Sequence, residues 1–72
     1  MKQELPDPLS DRELEVLELM AERLSNKEVA GRLYVSVPTV KSHALKIYQK
    51  LHVNDRRGAV EKAVALGLLP ER

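Results

Sequence analysis

The chain has 72 residues, enough for one domain with a small core and too few for a second. Hydrophobic residues make up 43% and charged residues 32%, a globular balance; cysteine is absent, which excludes disulfides and thiolate metal sites. The net charge of +1 conceals an asymmetry: residues 1–25 carry three Lys or Arg against seven Asp or Glu (−4), whereas residues 26–72 carry nine against four (+5).

A molecule with one basic side suits a polyanionic partner, although charge runs also arise as solvated helix faces. No apolar run approaches the ~18 residues of a membrane span, and the N-terminus lacks a signal-peptide core. The expected setting is the cytoplasm, with no membrane contact.

In chain order, Met1 to Leu9, with Pro6 and Pro8, has no periodicity and reads as a lead-in or linker over residues 1–9. Ser10 with Glu13 forms a capping box that opens a helix over 11–24, with Leu14, Leu17, Ala21 and Leu24 as its buried stripe and Val16 and Met20 flanking. Ser25 with Glu28 repeats the box and opens a short helix over 26–33, whose inner face is Val29, Ala30 and Leu33. Ser36 is the third N-cap, and Pro38 is tolerated in the first turn after it because those amides have no intrahelical partner. This third helix spans 37–51 and buries Val40, Ala44, Ile47 and Leu51. Asn54-Asp55 begins the fourth, over 55–66, carrying Ala59, Val60, Ala63 and Val64; it stops near Gly67, with Pro70 just beyond. The predicted fold is all-α, one four-helix domain over residues 10–69 with a tail at 70–72.

Only Tyr34, Val35 and Ser36 join the second and third helices, and so short a link forces a steep crossing, the geometry of a helix-turn-helix. Ala30 is small where two helices must approach, and Val29, Leu33, Val35, Val40 and His43 line the inside of the corner. A four-helix mini-bundle satisfies much of the same spacing. The outer face of the third helix separates the two readings: it presents Lys41, Ser42, Leu45, Lys46, Gln49 and Lys50, and the whole helix lacks an acidic residue. A solvated helix would mix Glu with Lys for i,i+4 support, whereas one bound for a phosphate-lined groove avoids carboxylates. The major groove admits an α-helix, where Lys, Ser and an apolar group meet guanine, either base and a thymine methyl respectively. Thr39 can bond a phosphate beside free backbone amides, and the helix starts at Asn26-Lys27 and Asp55-Arg56-Arg57 offer similar contacts.

Four stretches together resemble LuxR-type (GerE-like) helix-turn-helix domains. They are Leu9-Ser10-Asp11-Arg12-Glu13-Leu14-Glu15-Val16-Leu17, Ser25-Asn26-Lys27-Glu28-Val29-Ala30, Ser36-Val37-Pro38-Thr39-Val40-Lys41-Ser42-His43 and Lys50-Leu51-His52-Val53. The resemblance covers about residues 9–69. It implies a tetrahelical, winged-helix-like domain, found C-terminally in bacterial transcriptional regulators, whose third helix enters the major groove of double-stranded DNA. Position by position, it implies base contacts from Pro38, Lys41, Ser42 and Leu45. It implies phosphate contacts from Asn26, Lys27, Ser36, Thr39, Lys46, Lys50 and Arg56. It also implies a homodimer on DNA through the fourth helix, for which Ala59, Ala63, Val64 and Leu66 offer small apolar surface, and the lead-in then reads as the end of an interdomain linker. Three positions depart from the family pattern: Arg23 and His52 stand where glycine is common, and Lys46 where asparagine is frequent.

His43 and His52 cannot share a helical face, and neither cysteine nor paired carboxylates accompany them, so no metal, cofactor or catalytic role is expected. Two tyrosines, Tyr34 and Tyr48, are too few for a single-strand stacking platform. A protein-docking role stays open beside DNA binding: Glu15, Glu18 and Glu22 on the first helix could meet a protein such as RNA polymerase.

Overall fold

Among the described residues four helices form, each on a start signal the sequence carries. The computed structural model describes residues 8–70; residues 1–7 of the lead-in expected over 1–9, and residues 71–72 of the tail expected over 70–72, lie outside the described residues. Helix α1 (Asp11–Ala21) opens on a closed capping box: Ser10 Oγ accepts the Glu13 amide at 3.1 Å, and Glu13 Oε1 accepts the Ser10 amide at 2.9 Å. Helix α2 (Asn26–Leu33) repeats it with Ser25 and Glu28 at 3.1 and 2.8 Å. Helix α3 (Val37–Leu51) is capped by Ser36, with Pro38 in its first turn, and α4 (Arg56–Ala65) by Asp55, whose Oδ1 accepts the Gly58 amide at 2.8 Å. Among the described residues there is no strand.

The helix ends share one device, signalled by a glycine of this chain only at Gly67 and at Arg23 and His52 only by the glycine common there in the family. After each helix one residue adopts a left-handed conformation: Arg23 (φ 68°), Tyr34 (φ 58°), His52 (φ 59°) and Gly67 (φ 79°). In each case the next amide reaches back to a carbonyl five residues earlier. Leu24 bonds Leu19, Val35 bonds Ala30, Val53 bonds Tyr48 and Leu68 bonds Ala63, at 3.4, 3.0, 2.9 and 2.8 Å. This is the Schellman closure, normally built on glycine. It ends α1 at Ala21, three residues short of the predicted 24, because Arg23 reverses the chain and turns Leu24 back toward the core. Helix α4 is one residue shorter at each end than the predicted 55–66, since Asp55 and Leu66 are its caps.

Helices α1 and α3 each pack on all of the other three. Val40, Ile47 and Leu51 on the inner face of α3 are completely buried, as are Val16 and Leu17 of α1 and Val29 of α2. Each such side chain stabilises the fold by roughly 1.5–3 kcal/mol relative to exposure. Leu14, Leu24 and Leu33, expected in the core, are only half-buried at its edge. Two residues outside the helices complete the core: Leu9, 7% exposed, and Leu69, 6% exposed. Leu9 was expected to belong to the linker; its burial shows that the packed unit begins before Ser10. Ala59 and Ala63 are 0% exposed and fill the space between α4 and the rest. That corrects half of the expected dimer surface, because a side chain already enclosed offers nothing to a second copy.

A candidate nucleic-acid interface on the third helix

The same periodicity that buries Val40, Ala44, Ile47 and Leu51 turns the opposite face of α3 outward. Pro38, Lys41, Ser42, Leu45, Lys46 and Gln49 are all exposed, and Leu45 is 61% exposed. Among the described residues Lys41 and Lys46 enter no ion pair, and neither does Lys27 at the start of α2. Three ammonium groups are therefore left to solvent around a helix without carboxylates, a surface that repels cations and attracts a polyanion.

At the N-terminus of α3, Ser36 Oγ accepts the Thr39 amide at 3.2 Å and lies 2.9 Å from Thr39 Oγ1. One hydroxyl donates to the other, so the pair retains one O–H for an external acceptor whichever way the bond runs. The two residues thus act as a single donor. Asn26, at the first position of α2, is half-exposed and Lys27 is exposed.

Two residues expected on this surface lie elsewhere. Lys50 Nζ donates to Glu13 Oε1 at 2.8 Å and to the Pro8 carbonyl at 3.3 Å, and its side chain is 19% exposed. At about 100° per residue, Lys50 falls near the border between the outer and buried faces of α3, and its stem leads toward α1. Arg56 donates through Nη1 to the Leu24 carbonyl and through Nη2 to Asn26 Oδ1 at 3.2 Å. Both cations are held within the fold, so neither extends to the surface that Lys41 and Lys46 form.

Glu13 is the residue the sequence presented only as a cap and the structure makes a hub. Burial pushes its carboxyl up, but the Lys50 ammonium and the Ser10 amide outweigh burial and hold it below the ordinary value of 4.5. Its place at the third helical position, which must face back toward Ser10, was the available signal. Tyr34, at the corner between α2 and α3, is 94% exposed. Tyr48, by contrast, is half-buried, and burial raises its phenol.

Between α1 and α4 runs a groove of about 710 Å³. Met20, Ala21, Val60 and Val64 supply its apolar side chains, and Arg23, Arg56, Arg57 and Glu61 line it as well. Val64 and Leu66, the other expected dimer residues, are half-buried. No group of three or more potential ligands for a metal ion occurs among the described residues.

The sequence from residue 7 to 63 matches the family model of bacterial regulatory proteins, luxR family. The chain is 45% identical over 67 residues to the uncharacterized transcriptional regulatory protein YxjL of Bacillus subtilis, covering 93% of this chain and 31% of that protein. It is 48% identical over 61 residues to the oxygen regulatory protein NreC of Staphylococcus carnosus, covering 85% of this chain and 28% of NreC. Its fold superposes on the transcription factor GerE with a TM-score of 0.80 at 34% identity, covering 85% of this chain and 91% of that one. It superposes on the response regulator ChrA of a heme-sensing two-component system with a TM-score of 0.85 at 40% identity, covering 88% and 31%. The chain thus spans about a third of the length of the first two regulators and nearly all of GerE. With α2 and α3 forming the corner just described, the chain belongs to the luxR family of bacterial regulatory proteins and is a helix-turn-helix domain for DNA-binding transcription regulation.

Proposed function

We propose that the chain reads double-stranded DNA with α3 in the major groove, as the output domain of a longer cytoplasmic regulator. The observation that carries this is the exposed, acid-free outer face of α3, where Lys41 and Lys46 have no ion-pair partner among the described residues. Pro38, Lys41, Ser42 and Leu45 contact base edges: Lys41 suits guanine O6 and N7, Ser42 suits either base, and Leu45 suits a thymine methyl. Asn26, Lys27, the Ser36–Thr39 pair and Lys46 contact phosphates and fix the register. The role is binding rather than catalysis, and it requires no cofactor.

Two copies pair on DNA through α4, which sets two recognition helices about one DNA turn apart. Val64 and Leu66, half-exposed, support this together with Val60, whereas Ala59 and Ala63 support the core. A contact with RNA polymerase through Glu15, Glu18 and Glu22 is the second reading, favoured by their exposure on α1 and its C-cap. The test is fluorescence anisotropy of a labelled genomic-fragment pool with this domain across a salt series. A subset that binds, with log affinity falling steeply against log salt, supports the proposal. Weak binding that is blind to sequence at every salt favours protein docking.

A further inference from the structure

Arg56 stands at the first position of α4, yet its guanidinium reaches across to two other elements. One nitrogen meets the Leu24 carbonyl, in the turn that closes α1; the other meets Asn26 Oδ1, 3.2 Å away, at the start of α2. Both bonds span about thirty residues of sequence (32 and 30) and are partly buried. An arginine can only donate, so the atom of Asn26 that faces it must be the oxygen. This fixes the orientation of the Asn26 amide: the carbonyl is turned inward to Arg56, and the two N–H donors are turned away from it. An amide without such a partner can flip and offer either oxygen or nitrogen to the outside.

We infer that Arg56 is a positioning residue for DNA binding, which sets the Asn26 amide with its donors toward a phosphate while touching no phosphate itself. The inference rests on the reading of this face as a DNA interface. The planar fork matters, because it serves the Leu24 carbonyl and the Asn26 oxygen together. A lysine carries the same charge but not the fork, and cannot hold both acceptors in the same geometry. Charge alone would suit a direct phosphate contact; geometry suits a bracket. The bracket also ties the first residue of α4 to the first residue of α2, so the position of one helix start is transmitted to the other.

The test is the affinity of the full chain for a short fluorescein-labelled duplex of mixed sequence, measured by anisotropy across a salt series. The variants are Asn26→Ala, Arg56→Lys and the double substitution, with helix content and thermal melting recorded for each. Asn26→Ala should weaken binding about tenfold, as loss of one bond to a charged group does. Arg56→Lys should weaken it by a similar factor without lowering the salt slope. The double variant should lose about tenfold and not a hundredfold, because the second change removes what the first has already disabled. Arg56→Lys binding like the parent, or losses that multiply in the double variant, would overturn the inference. So would a drop of about one in the salt slope for Arg56→Ala, the mark of a direct phosphate contact. Loss of binding in Lys41→Ala and Lys46→Ala with Asn26→Ala silent would overturn the inference and leave the DNA interface standing. Silence in all three would sink both.

Discussion

Lys50 of α3 and Glu13 of α1 form an ion pair at 2.8 Å, with side chains only 19% and 6% exposed. The exposed pairs Arg12–Glu15 and Arg57–Glu61 are longer, at 3.3 and 3.2 Å, and open to solvent. Glu13 also caps α1 through Ser10, and Lys50 also holds the Pro8 carbonyl, so one pair joins the lead-in, α1 and α3. Removing Lys50 leaves the buried Glu13 carboxylate without its ionic partner. Lys50→Met should lower stability by about 2–3 kcal/mol, whereas Arg12→Ala should change it by less than about 0.5 kcal/mol. Chemical denaturation of both variants checks the difference. Lys50→Met, if still folded, should keep the salt slope of DNA binding, since its ammonium is used inside the fold.

The same pair sets the acid limb of stability. The folded Glu13 carboxyl titrates below its ordinary value of 4.5 because Lys50 and Ser10 outweigh the effect of burial. Its contribution is therefore complete above about that value and is lost as pH falls through the lower folded value. Glu28, drawn down by the Ser25 amide and hydroxyl, acts in the same direction. Urea midpoints measured from pH 6 downward should fall below pH 4.5, and Glu13→Gln should flatten that fall.

Three helix ends place a branched or bulky side chain where glycine fits best. Arg23, Tyr34 and His52 all have φ near +60°, a conformation that costs about 1 kcal/mol or more for a residue with a Cβ. Arg23→Gly and His52→Gly should each stabilise by about 0.5–1 kcal/mol, raising Tm by roughly 2–8 °C in a domain this small. Gly67→Ala, at φ 79°, should do the reverse. Melts of the three variants are a direct check.

Gly31 sits in the middle of α2 with a normal helical backbone, and a Cβ built on it meets nothing within 4 Å. Gly31→Ala should stabilise the domain by about 0.5–1 kcal/mol through helix propensity and reduced freedom of the unfolded chain. Calorimetry of this variant measures it. Gly58 is different: a Cβ there would lie 3.0 Å from Asp55 Oδ1 and 3.3 Å from Val53 Cβ, so the N-cap of α4 and its neighbour would have to move.

Local signals carried most of the fold. The two Ser-x-x-Glu boxes and Ser36 with Pro38 located three helix starts, because capping depends on residues three apart. The inner and outer faces of α3 followed from periodicity, so Lys41, Ser42 and Leu45 could be placed on the surface from spacing. What was not legible depends on contacts far along the chain. Nothing local marks Leu9 as core beside two prolines, or Arg23 as left-handed. Lys50 and Arg56 read as surface cations until partners 37 and 30 residues away are seen. The alanines of α4 read equally as core or as dimer surface, since a small apolar residue serves both.

The most direct test of groove reading is the set of sequences selected from a randomised duplex library by the parent, Lys41→Ala and Lys46→Ala. The parent should enrich one half-site. Lys41→Ala should lose preference at one base pair, a discrimination of about 1–3 kcal/mol, while Lys46→Ala should keep the parent profile at lower affinity on every sequence. Identical profiles for the parent and Lys41→Ala, or no enrichment by the parent at any salt concentration, would contradict base reading by α3.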